Sequence, residues 1–125
     1  MSLDIDLYGE SVEVECVCAC CDHKHTRTQR PQLYSANVTH NMAPMAGEAG
    51  LYEALWHPED SGFYKAQDLI EPLTKGVAAL KADPERMKTF NPRNGWGSYE
   101  GLLEFAEKYL QACVENSTAI ISVSR

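Results

Sequence analysis

The sequence predicts an α+β domain, on three observations. Apolar and polar residues alternate through much of the first forty positions, the apolar spacing then changes to that of amphipathic helices, and a short β-rich run closes the chain. Strands first, helices next and one strand last specify a small antiparallel or mixed sheet, made of the N-terminal strands plus the C-terminal strand, with three to four helices packed on one face. At 125 residues the chain is a single domain spanning 1–125, long enough to bury one core and too short for two. A hydrophobic fraction of 44% with 23% charged residues is that of a folded protein and argues against disorder.

In order along the chain, residues 3–8 form a short strand, Leu3, Ile5 and Leu7 alternating with Asp4 and Asp6. Residues 11–20 form a half-buried strand, with Val12, Val14, Cys16, Cys18 and Cys20 on one side and Glu13 and Glu15 on the other. Residues 22–25 read as its turn, and residues 26–30 as a returning hairpin partner. After Pro31, Tyr34, Ala36 and Val38 alternate with Leu33, Ser35 and Asn37 as another strand. The period then becomes helical. Met42, Met45, Ala49, Tyr52, Leu55 and Trp56 predict one helix that runs to about His57, with Thr39 or Asn41 as its cap and Pro58 as its limit. Residues 65–82 carry Leu69, Ile70, Leu73, Val77 and Leu80 at the same spacing, and Pro72 inside the pattern predicts either a kink or a fresh helix start. Asp83 followed by Pro84 caps a short helix to about Lys88. Ser98 caps the last helix, whose apolar arc is Leu102, Phe105, Ala106, Tyr109, Leu110 and Cys113. Residues 119–123 end the chain as a strand that pairs beside an N-terminal one, because Ile120 and Ile121 need cover.

Eighteen acidic residues against eleven Lys and Arg give a net charge of −7, and the basic residues are scattered singly. Phosphate-backbone binding requires clustered cations, so duplex nucleic acid is not an expected partner. No apolar run approaches the roughly 20 residues that span a bilayer, and the acidic start has no signal-peptide character. A cytoplasmic location with no membrane partner is the expectation, and homo-oligomerisation is left open. Five cysteines, an odd number, fit a reducing compartment better than a disulfide framework. In that compartment the glycosylation-like triplets Asn37-Val38-Thr39 and Asn116-Ser117-Thr118 are accidental.

Two segments carry candidate chemistry. Asn37-Val38-Thr39-His40-Asn41 falls where a strand hands over to a helix, and Asn91-Pro92-Arg93-Asn94-Gly95-Trp96-Gly97-Ser98 opens the last helix. Helix N-termini present unsatisfied N–H groups and partial positive charge, so Asn37, Thr39, His40, Asn41, Arg93, Asn94 and Trp96 are expected to form one pocket for a small polar or anionic ligand. His40 has two readings: an acid/base or ligand-contacting group, or part of the turn chemistry of the junction. Trp96 also has two: it plugs the edge of the core, or it forms a flat pocket wall that stacks on a ring while Arg93 reaches a phosphate or carboxylate.

The cysteine-rich segment offers a metal alternative. Cys18 and Cys21 have zinc-knuckle spacing, with His23 and His25 close enough to add nitrogen ligands. Against zinc, a continuing strand sends Cys18 and Cys21 to opposite faces, and thiols on the side of Val12 and Val14 pack as small hydrophobes. No other cofactor is expected.

Three blocks, the run from Asn37 to Ala46, the stretch Ala49-Gly50-Leu51-Tyr52 with Leu55-Trp56, and the run from Asn91 to Tyr99, look like a family of small uncharacterised bacteriophage and bacterial proteins. The likeness covers residues 33–125 and implies an accessory protein whose polar blocks share one site. The residues themselves favour a binding domain for a small polar or nucleotide-like ligand. The alternatives are an enzyme with His40 as acid/base and a zinc-stapled protein-interaction module.

Overall fold

The computed structural model describes residues 2–17 and 24–125, and the side chains of residues 2–13 and 29–125. Strands β1 (Ser2–Tyr8), β4 (Gln32–Thr39) and β5 (Ile120–Ser124) form an antiparallel sheet in the order β4-β1-β5. Strands β2 (Val12–Val17) and β3 (Lys24–Gln29) pair with each other in a separate two-stranded sheet. The helices are α1 (Ala43–Glu48), α2 (Tyr52–Trp56), α3 (Ala66–Ala82), α4 (Pro84–Lys88) and α5 (Tyr99–Glu115), with 3-10 turns at His40–Met42 and Pro58–Ser61.

Strand alternation decides the two faces of the main sheet. Leu3, Ile5 and Leu7 are fully buried, and the register sets Val38, Ala36 and Tyr34 opposite them on β4. Val123 and Ile121 flank Ile5 and Leu7 from β5, so the C-terminal strand does insert beside the N-terminal one. Each fully buried aliphatic side chain contributes about 1.5–3 kcal/mol, which makes this face the seat for the helices. The opposite face carries Ser2, Asp4 and Asp6 across from Thr39, Asn37 and Ser35.

Helices α3 and α5 make the most extensive helix–helix contact. The Tyr99 hydroxyl donates to the Leu80 carbonyl at 2.8 Å, and Tyr109 stacks on Tyr34 of β4 with ring centroids 6.1 Å apart. Gly76 is the closest point of α3 to the rest of the core: a Cβ there would lie 2.0 Å from Leu51 Cδ2. At its start, α3 uses Asp68 Oδ2 to accept from the Tyr64 and Lys65 amides. The amides of Ala66 and Gln67 donate to the carbonyls of Ala119 and Ser117, tying the helix to the approach to β5.

Several expectations are corrected. The helix expected to run from Met42 to His57 is two, which raises the helix count from four to five among the described residues. Gly50 sits at φ +77°, the Leu51 amide donates to the Ala46 carbonyl at 2.7 Å, and the Gly50 amide donates to Gly47 at 3.2 Å. That paired hydrogen bonding is a Schellman stop, which a glycine in the left-handed region makes inexpensive, and buried Leu51 anchors it. Pro72 starts no new helix, and α3 runs unbroken from Ala66 to Ala82. Proline removes one backbone donor, but the stripe Leu69, Leu73, Val77 and Leu80 is buried on both sides of it. Val12, which heads the expected half-buried face of β2, is 47% exposed. The caps at Asp83, which accepts from Arg86, and at Ser98, which accepts from Gly101, are as the sequence predicts.

Candidate ligand-binding cleft

The two polar segments meet. Asn41 Nδ2 donates to the Trp96 carbonyl at 3.3 Å. Gly97, at φ +112°, lies against the first block so closely that a Cβ would sit 2.6 Å from Met42 Sδ and 2.9 Å from Thr39 Cγ2. Between them opens a cleft of about 840 Å³, lined by Ser2, Asn37, Thr39, His40, Asn41 and Trp96.

Strand alternation places Asn37 and Thr39 on the polar face of β4, and the antiparallel register brings Ser2 opposite Thr39. The Thr39 hydroxyl oxygen accepts from the Asn41 amide at 3.3 Å, which caps the 3-10 turn and fixes Asn41. On the far wall, Asn94 Oδ1 accepts from the Trp96 amide at 2.9 Å, and Gly95 at φ +77° completes that turn. Asn91 Oδ1 accepts from the Tyr99 amide at 2.8 Å. The Trp96 side chain is 72% exposed, which excludes its reading as a core plug.

His40 is held by a residue that sequence reasoning had assigned only to an apolar helix stripe. The indole N–H of Trp56, itself only 3% exposed, donates to His40 Nδ1 at 2.9 Å. An indole N–H donates and does not accept, so this bond requires the neutral imidazole with its proton on Nε2. Trp56 stacks on Tyr52 at 5.5 Å, and the Tyr52 hydroxyl lies 3.3 Å from His57 Nε2. The side chain of Arg125 donates to the Trp56 carbonyl at 2.6 Å and to Glu59 Oε1 at 2.7 Å, so the chain's last residue braces the same corner. His57 does end α2, as expected, its amide donating to the Glu53 carbonyl.

Of the seven ligand-site residues expected from sequence, Asn37, Thr39, His40, Asn41 and Trp96 line the cleft. Asn94 shapes the loop from within it, and Arg93 is exposed beside it; neither is among the lining residues. Sequence reasoning missed Ser2 and Trp56. Only strand register reveals the first, and only the packing of α2 reveals the second.

Among the described residues His40 forms no ion pair with a carboxylate, and no group of three or more His, Cys, Asp or Glu side chains could hold a metal. Cys18, Cys21 and His23 lie outside the described residues. His25 belongs to β3 by its backbone, and its side chain also lies outside them. Cys113 is buried on α5, where desolvation pushes its thiol up to about 12, the state of a packing residue rather than a nucleophile. Among the described residues no helix is long and apolar enough to cross a membrane. Comparison of the chain with protein-family models, with curated proteins and with solved structures finds no match.

Proposed function

We propose that the chain is a small cytoplasmic accessory protein that binds a small polar, nucleotide-like ligand in the cleft between the Asn37–Asn41 and Asn91–Tyr99 segments. The observation that carries this reading is the exposed ring of Trp96, set across a cleft from a wall of amide, hydroxyl and imidazole groups that are already held in place. An indole exposed on the wall of a cleft offers its face for stacking on a ring. The opposing wall supplies directional polar groups, the usual complement in a ligand site. Binding is favoured over catalysis because the bond to His40 Nδ1 comes from an indole, which accepts no proton. A general base ordinarily has a carboxylate orienting it at that nitrogen.

Calorimetric titration of the protein with a panel of nucleobases, nucleosides and nucleoside monophosphates tests the proposal. Binding by at least one of them, weakened by both Trp96→Ala and Asn41→Ala in proteins that melt like the wild type, is the expected result. A panel that gives no heat, or an affinity indifferent to both substitutions, would overturn it.

A further inference from the structure

We infer that the ligand of this cleft is an uncharged heterocyclic ring, a nucleobase or the nucleoside that carries it, and that a phosphate contributes nothing to its recognition. The inference rests on reading the cleft as a ligand site and narrows the class of ligand.

Four observations count against an anion. Among the described residues that line it none is a Lys or an Arg, and Arg93, the cation nearest in sequence to Trp96, is not among them. Three of the amides at the two helix starts are already engaged: that of Asn41 by Thr39, that of Tyr99 by Asn91 and that of Gly101 by Ser98. His40 Nδ1 is occupied by the Trp56 N–H and so offers no hydrogen to an anion. Asp4 stands directly opposite Asn37 on the same sheet face, so the local carboxylate repels negative charge.

The remaining polar atoms favour a flat ring with donors and acceptors side by side. Asn41 spends one N–H on the Trp96 carbonyl and retains Oδ1 as an acceptor. Thr39 spends a lone pair on the Asn41 amide and retains its hydroxyl hydrogen. His40 retains the Nε2 hydrogen, and Asn37 adds a carboxamide with both functions. A carboxamide pairs two-pronged with an N–H/C=O or N/N–H edge, the pattern that nucleobases display. Among the described residues Trp96 is tied down only through its backbone, which donates to Asn94 and accepts from Asn41, and its indole has no hydrogen-bond partner there.

The experiment titrates the full chain with uracil, uridine and uridine monophosphate, and with adenine, adenosine and adenosine monophosphate, with inorganic phosphate and methyl glucoside as competitors. The expected result has base and nucleoside of one series within about threefold of each other and the monophosphate no tighter. The Kd should stay flat between low and high salt, since no charge pair is being screened. Trp96→Ala should weaken binding by about 5- to 140-fold, the equivalent of one lost stacking contact, with partial recovery in Trp96→Phe. Arg93→Ala should leave the affinity unchanged. A monophosphate bound about tenfold tighter than its nucleoside, or displacement by inorganic phosphate, overturns the uncharged class while the cleft remains a ligand site. Displacement by methyl glucoside transfers the cleft to polyols and overturns the heterocycle. Silence from every probe overturns this inference together with the reading of the cleft itself.

Discussion

Trp56 and Trp96 sit on opposite sides of the same corner of the molecule and have opposite fates. Trp56 is 3% exposed, stacked on Tyr52, with its N–H given to His40; Trp96 is 72% exposed, with its backbone bonded and its indole unengaged among the described residues. One residue type does two jobs here, on either side of His40's place in the cleft. The buried ring positions a cleft residue from behind, whereas the exposed ring is the cleft wall. A matching contrast exists between two glycines. Gly76 admits Leu51 into the core, and Gly97 lets the second polar block close on Met42 and Thr39 beside the cleft.

The comparison breaks most visibly at Trp56. Trp56→Ala should cost about 3–5 kcal/mol in a denaturant melt, as expected for deleting a large ring from a packed core. A loss below about 1 kcal/mol would show that the corner is not the rigid support described. Next come the glycines. Gly76→Ala and Gly97→Ala should each cost about 1–3 kcal/mol, the first by overpacking Leu51 and the second by adding left-handed strain to a clash with Met42. Only Gly97→Ala should also disturb ligand binding. The two substitutions therefore separate core from cleft by titration even if their melts coincide.

A smaller effect isolates the hydrogen bond. Trp56→Phe keeps most of the ring and removes the donor, so stability should fall by about 0.5–1.5 kcal/mol beyond the volume change. Nitrogen chemical shifts of His40 should then move from a single neutral tautomer with the proton on Nε2 toward a mixture. An unchanged tautomer would mean that Trp56 does not set it. The smallest effect on stability belongs to Trp96→Ala, within about 0.5 kcal/mol of the wild type, as for other exposed positions. A large loss there would make Trp96 a structural residue after all and erase the contrast.

Much of this was legible beforehand because it depends on local chemistry. The caps at Asp83 and Ser98 follow from side chains that satisfy the first amides of their own helices, within three residues. The two faces of β1 and β4 follow from a period of two. What escaped involves residues far apart in sequence or competition between two local rules. The break at Gly50 was hidden by an apolar spacing that continues through it, and Pro72 pointed to a disruption that burial of α3 overrides. Leaving Trp96 in solvent rather than in the core is decided by the path of the loop, not by the composition of the segment.

By itself, then, the sequence determined the α+β class, the insertion of the last strand beside an N-terminal one, most helix boundaries and five of the residues that line the cleft. Each rests on hydrophobic period or on a side chain bonding to its own neighbourhood. Only the tertiary structure decided that Ser2 faces Thr39, that Arg93 is not among the cleft's lining residues, and that Trp56 donates to His40 from sixteen residues away. Those three facts depend on register and packing, where contacts between distant segments select one arrangement from many that the local sequence would equally allow.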